Sequence, residues 1–211
     1  MKTLKYIYNE IKLYLLTKSK GLIFSTIKIV DDNNKIMFTK VGQSFVANFL
    51  QFLYRSFNTG VNVNFDVSVP FSSSRNKIQL QTATFTTFSS LPSVAAPSNS
   101  SDYGIILGVG TTPITATNYA VEGKIFNGSG SGQLIYGAMT GYGGVTITDN
   151  TSSVEIRRNL VNSSGATINV TRLGLVASAG GVYFLIYLDE VNFSIPAGGS
   201  VWAEIIFSIT T

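Results

Sequence analysis

The chain has 211 residues, of which 45% are hydrophobic and only 12% are charged. A chain of this length fits one domain, which buries roughly 70% of the surface of its unfolded form, so we expect a hydrophobic core. The sequence contains no His and no Cys, which excludes Ser-His-Asp and Cys-His nucleophiles, disulfides and nearly every zinc site. Its eleven acidic residues form no recognisable constellation, and we therefore expect no enzyme, no cofactor and no metal site.

The formal net charge of +4 is concentrated near the N-terminus. Residues 1–60 hold nine basic and three acidic residues, whereas residues 61–211 hold six basic and eight acidic ones. This asymmetry favours contact with an acidic partner, an anionic membrane surface or nucleic acid. Nucleic acid is the least expected, because such a module packs more basic residues on one face, interleaved with aromatic ones. The low charge suits packing against other protein, since hydroxyls and amides lose their water more cheaply than ions. A secreted or adhesive β protein is the alternative.

Residues 2–18 have the pattern of an amphipathic helix. Apolar side chains recur at three- and four-residue steps, with polar and basic residues between them. We predict a helical arm over residues 1–20, followed by a single β-sandwich domain over residues 21–211. The arm would dock on its own domain, on a neighbouring subunit or on a membrane surface. Its interface candidates are Leu4, Ile7, Ile11 and Leu15.

The segment after the arm changes its period at about residue 41. Residues 22–37 have the pattern of a β-hairpin with a turn at residues 31–34. Residues 41–57 instead place their apolar side chains on one helical face, which is too wide and too aromatic to be exposed. We predict a helix that is buried under a sheet or in an interface, with Phe45, Phe49 and Phe52 as further interface candidates.

The remainder of the chain has the pattern of β structure. Apolar and polar residues alternate over 61–69 and again over 201–209, as in half-buried strands. The short apolar runs between them are separated by turns rich in Gly, Ser and Asn, and residues 89–101 have the composition of a loop. This pattern predicts a mainly β fold, an antiparallel sandwich of jelly-roll or immunoglobulin-like kind. The intervening strands are predicted near 77–88, 103–107, 133–137, 144–148, 153–160, 166–171 and 182–188.

The predicted strand at 103–107 leads into a tight loop. Glycine permits positive φ or a close backbone approach, and proline fixes the direction in which the chain leaves. No helix and no Gly-Lys-Ser/Thr sequence follows, which argues against a phosphate-binding loop. We expect a structural loop in which Tyr119 folds back as an aromatic plug, with its hydroxyl group in a hydrogen bond. The residues of this loop are Gly108, Gly110, Thr111, Thr112, Pro113 and Tyr119.

Several short stretches carry a resemblance through their order in the chain. They are 25–34 for an opening hairpin, 43–50 for a helix, 105–113 with 118–121 for a glycine-threonine-proline loop, and 169–175 with 196–200 for two closing strands. Together they resemble a family of structural proteins from tailed bacteriophages and related prokaryotic viruses. The resemblance spans residues 22–209, and one departure is Arg172, where such proteins more often carry Glu. It implies a β-sandwich virion component without giving its place in the particle.

We therefore expect a non-enzymatic structural protein of a virion, assembling with itself and with other virion proteins at a capsid vertex, turret, neck or tail. The alternative is a glycan-binding or adhesive surface module that uses Tyr136, Tyr142, Trp202 and the Gly-rich loops, because exposed aromatic rings stack on sugars.

The sequence also contains sites with the pattern of N-glycosylation. Six Asn-x-Ser/Thr sequons begin at Asn99, Asn127, Asn150, Asn162, Asn169 and Asn192. Whether these sequons carry sugar is left open.

Overall fold

A computed structural model describes residues 23–42, 45, 63–70, 78–85, 93–141, 144–179 and 181–210. Eleven strands lie in these ranges. They are β1 (Ile23–Asp31), β2 (Ile36–Gly42), β3 (Val63–Pro70), β4 (Ile78–Phe85), β5 (Gly104–Gly108), β6 (Ile135–Thr140), β7 (Thr146–Thr148), β8 (Thr151–Val161), β9 (Ile168–Ala179), β10 (Val182–Ile195) and β11 (Ser200–Thr210).

All strand pairs in the described ranges are antiparallel. The large sheet has the order β2-β1-β11-β8-β6, and β7 pairs with the far end of β8. The small sheet has the order β10-β9-β5, and the β3–β4 hairpin contacts it through β10. The predicted mainly β, sandwich-like fold is thereby confirmed, including the opening hairpin of β1 and β2.

The core lies between the inner faces of the two sheets. In the large sheet the register places Ile27, Ile205 and Ile156 side by side across β1, β11 and β8. In the small sheet Leu107 of β5 lies opposite Leu173 of β9. All five are buried, as expected where alternate residues of two sheets face each other.

The two predicted helices have different outcomes. The arm over residues 1–20 lies outside the described residues, with all four of its interface candidates. The helix over residues 41–57 is wrong at its start, because Val41 and Gly42 belong to β2 and pair with β1. Phe45 forms an isolated antiparallel bridge with Tyr187. The rest of that segment, including Phe49 and Phe52, lies outside the described residues.

Candidate functional site

The glycine loop is an irregular extension of the small sheet. Beyond β5, the amide of Val109 donates to the carbonyl of Gly123 (3.0 Å), and the amide of Gly110 donates to the carbonyl of Glu122 (3.1 Å). Gly108 also forms an isolated antiparallel β-bridge with Lys124. The loop therefore returns along its own entry strand, and residues 108–112 lie against residues 122–125.

Close approach, not unusual backbone geometry, explains the two glycines. Neither Gly108 nor Gly110 has a positive φ. A Cβ on Gly108 would lie 2.4 Å from the carbonyl oxygen of Glu122, and one on Gly110 would lie 2.3–2.6 Å from the Glu122 side chain. The sequence left open whether these glycines provide a positive φ or a close backbone approach, and the structure assigns them the close approach.

Two side chains of β9 fasten this loop to the small sheet. The hydroxyl of Thr171 donates to the carbonyl of Gly110 (2.6 Å). The buried guanidinium of Arg172 donates to the carbonyl of Thr112 and lies 3.4 Å from a carboxylate oxygen of Glu190. Arg172 therefore holds the loop in place.

Beside the loop lies an open groove of about 500 Å³. Thr111, Thr112 and Pro113 are exposed at the loop itself. Tyr119, which we expected to fold back as an aromatic plug, is half-buried and lines the groove. The main side chains of the wall are Thr112, Asn118, Tyr119, Glu122, Lys124 and Phe126.

The groove contains one carboxylate and one ammonium group, each held by neighbours. The hydroxyl and the amide of Thr112 donate to Glu122 Oε2 at 2.5 and 3.0 Å, and these hydrogen bonds hold the pKa of Glu122 below its usual value. Burial lowers the pKa of Lys124, although Asp102 at 3.5 Å opposes this effect. The Lys124 ammonium also lies 5.2 Å from the centre of the Phe126 ring.

A second polar cluster lies inside the sandwich and links the two sheets. The hydroxyl of Ser25 lies 2.9 Å from the carbonyl oxygen of Gly42 and 3.0 Å from the hydroxyl of Tyr187, which donates to Asp189 (2.9 Å). Lys40 pairs with the same carboxylate. Ser25, Tyr187 and Asp189 are at most 1% exposed, so these groups bind one another and not a ligand.

Arg158, which the sequence patterns did not single out, is the largest fully buried side chain in the described ranges. It extends from β8 into the core and donates to five carbonyl oxygens at 2.5–3.2 Å. Its guanidinium lies 4.7 Å from the centre of the Tyr136 ring. Ile156 and Leu160, its neighbours in the alternation, are also buried, so the period of β8 could have placed it inside. The acceptor residues are Pro97, Ser100, Tyr103, Ile105 and Gly137.

Of the aromatic residues named for glycan binding, the structure describes Tyr136 and Trp202. Tyr136 is fully buried, and its hydroxyl donates to the carbonyl of Ile125 (2.8 Å). Trp202 is half-buried on the outer face of the large sheet, with the guanidinium of Arg157 lying 4.9 Å from its ring centre. Tyr142 lies outside the described residues. For Tyr136 the expectation is therefore wrong, because its ring is part of the core.

The sequons differ in accessibility. Asn162 is fully buried, and its amide nitrogen donates to the carbonyls of Ala166 and Ile195 at 2.7 and 2.8 Å, so it cannot carry sugar in the folded chain. The side chain of Asn127 accepts a hydrogen bond from the amide of Tyr136 (3.1 Å). The remaining sequons begin at exposed residues: Asn99, Asn150, Asn169 and Asn192.

The described ranges contain no group of three or more acidic residues placed to hold a metal ion. No helix with the length and apolarity of a membrane span occurs in the part of the chain that the structure covers. Comparison with family models, curated proteins and solved structures finds no match to this chain.

Proposed function

We propose that this chain is a non-enzymatic structural protein of a virion that assembles through contacts with its own copies and with other virion proteins. The observation that carries the proposal is the pair of apolar edges on the large sheet. Ile36 and Met37 on β2 are 54% and 42% exposed, and Val145 and Ile147 beside and within β7 are 67% and 72% exposed.

Apolar side chains on sheet edges favour association. An edge strand presents unpaired backbone groups, and monomeric proteins protect such edges with charges, prolines or bulges. Val145 and residues 146–148 of β7 contain no charged residue and no proline. On β2 the charged Lys40 is directed inward to Asp189, so its ammonium does not protect the edge. These features support a second copy of the chain as the partner.

The internal use of the polar groups supports a non-enzymatic role. Ser25, Tyr187 and Asp189 are buried and bind one another, and the partly exposed Lys40 pairs with Asp189. We propose that no cofactor takes part and that binding depends on shape. A specific interface of this kind buries roughly 800 Å² on each partner.

The finer assignments rest on the sequence resemblance. They are a jelly-roll or immunoglobulin-like sandwich, a place at a capsid vertex, turret, neck or tail, and localisation in the virion. The basic arm over residues 1–20 adds a proposed contact with a neighbouring subunit or an anionic membrane surface. Mass spectrometry of purified particles tests the localisation, and absence of the chain from them would reject it.

Light scattering coupled to size-exclusion chromatography tests the assembly. We expect the purified chain to be oligomeric at micromolar concentration, and Ile147→Lys or Met37→Lys to lower its mass towards that of a monomer. The matched control is Thr167→Lys, which adds the same charge at an exposed residue outside β2 and β7. A wild-type monomer at every concentration, or equal effects of test and control variants, would reject the edges as interfaces.

A further inference from the structure

The groove beside the glycine loop has the composition of a site for a polyhydroxylated ligand. Tyr119 and Phe126 offer aromatic surface, and Asn118, Glu122 and Lys124 offer hydrogen-bonding groups. A sugar ring has the complementary character, with C–H groups on its faces and hydroxyl groups at its rim. The groove is open, whereas sites for apolar molecules enclose most of the surface of their ligand.

The charges in the groove favour a neutral ligand. Its one ammonium, on Lys124, is already close to the Asp102 carboxylate (3.5 Å), and Glu122 brings a negative charge to the same wall. A phosphate or a polyanion would be repelled by this carboxylate and would meet no arginine in the groove wall. Sugar hydroxyls, by contrast, both donate to a carboxylate and accept from an ammonium group.

The polar groups that would contact the ligand retain hydrogen-bonding capacity. Both bonds from Thr112 reach Oε2 of Glu122, and an ionised carboxylate has about four acceptor positions. Asn118 accepts through Oδ1 from the amide of Thr115 (2.6 Å), which orients its amide nitrogen as a donor. The same bonds hold both side chains in place, so binding loses little conformational entropy.

A second pair of aromatic rings lies near the ion pair of Lys124 with Asp102. Tyr103, the residue after Asp102, stacks on Tyr183 with ring centres 5.7 Å apart, and both tyrosines are half-buried.

We propose that this groove binds a neutral oligosaccharide, with Tyr119 and Phe126 stacking on sugar rings and with Asn118, Glu122 and Lys124 forming hydrogen bonds to hydroxyl groups. This proposal goes beyond assembly and does not depend on it, since none of these residues lies on the edge strands β2 and β7. The proposed site does not include Tyr136, which is buried, and uses side chains that line a surface.

Saturation-transfer NMR and calorimetry with the full chain test the proposal. The probes are maltohexaose, tetra-N-acetylchitotetraose and a mannose oligosaccharide, with inorganic phosphate as the anionic probe. We expect at least one oligosaccharide to bind with millimolar or better affinity and phosphate not to bind. Tyr119→Ala should weaken that binding at least tenfold, and Glu122→Gln, which preserves shape, should weaken it severalfold.

Trp202→Ala is the matched control, because it removes a half-buried aromatic ring from the large sheet. It should leave sugar affinity unchanged. Circular dichroism shows whether each variant is folded, and Glu122→Gln provides the test if Tyr119→Ala is not. The proposal is overturned if no oligosaccharide binds, if phosphate binds in place of sugar, or if the two groove variants bind like the wild type.

Discussion

Replacing Arg158 with methionine removes a buried guanidinium from the centre of a hydrogen-bonded network. The variant keeps an unbranched apolar side chain in the core but leaves five carbonyl oxygens without this donor. Those oxygens belong to the loop before β5, to β5 itself and to β6. The change therefore loosens the attachment of the 97–105 segment to the large sheet.

The magnitude follows from where each acceptor lies. The carbonyl of Ile105 is buried, and a buried acceptor left unsatisfied costs about 1–3 kcal/mol. The other four bonds are partly buried, so water replaces the donor and each loss costs about 0.5–1 kcal/mol net. Methionine carries no buried charge, and this offsets part of the loss in stability. We expect the free energy of unfolding to fall by about 3–5 kcal/mol.

Urea unfolding monitored by far-ultraviolet circular dichroism measures the change. Its matched control is Arg157→Met, because Arg157 is the exposed neighbour in the same strand and contacts the face of Trp202. A cation–π contact of that kind contributes about 0.5–1 kcal/mol. Hydrogen exchange should show faster opening of residues 97–105 in the Arg158 variant alone. Equal losses of stability in the two variants would refute the assignment of Arg158 as the tie between the sheets.

Two further predictions concern the buried polar cluster and the acidic residues. Gly42→Ala should destabilise the fold by about 2 kcal/mol or more, because its Cβ would lie 1.8 Å from the Tyr187 hydroxyl, and a wild-type urea midpoint would contradict this. Burial and a neighbouring carboxylate raise the pKa of Glu204, so its stabilising contribution is present below its unfolded pKa of about 4.3 and is lost as pH rises through the folded value. Hydrogen bonds lower the pKa of Glu122, so its contribution is present above that unfolded pKa and is lost as pH falls through the folded value. Thermal midpoints measured from about pH 3 to pH 7 test both directions. Glu204→Gln should reduce the change of the midpoint with pH above about pH 4, and Glu122→Gln should reduce it below about pH 4. The same effect from both variants would contradict the two directions.

The strands with alternating patterns could be predicted from the sequence. In β11, Val201, Ala203 and Ile205 are buried while Trp202 and Glu204 are half-buried, as the period of two requires. The opening turn was predictable for a local reason, since the Asp31 carboxylate accepts hydrogen bonds from the amides of residues 33 and 35. Local patterns are sufficient in these places because one face is buried and the other is not.

The small sheet was harder to predict because its middle is buried on both faces. β9 extends to Ala179 and β10 to Ile195, well beyond the strands predicted at 166–171 and 182–188. Val121 from the segment after the glycine loop covers Gly174 on the outer face of β9. A run that is apolar on both faces has no period of two, and nothing local indicates that a distant loop will cover it.

The groove was not predictable for the same reason. Its side chains come from residues 112–126, a stretch with no regular secondary structure beyond an isolated bridge. Their arrangement depends on Thr171 and Arg172, about sixty residues away along the chain. The spacing of the glycines indicated a tight loop, but the position of that loop beside the groove depends on its contact with β9.

Assembly and sugar binding would use separate parts of this molecule. The apolar edges belong to the large sheet, whereas the groove lies on the segment that covers the outer face of the small sheet. Association through β2 or β7 would therefore leave the groove accessible on every copy. An open groove with a few hydrogen-bonding groups binds weakly by itself, but several grooves on one particle gain effective concentration from their linkage, and avidity then exceeds the affinity of each site by orders of magnitude. If the proposed assembly forms, weak binding by the single chain is therefore sufficient for strong binding by many copies.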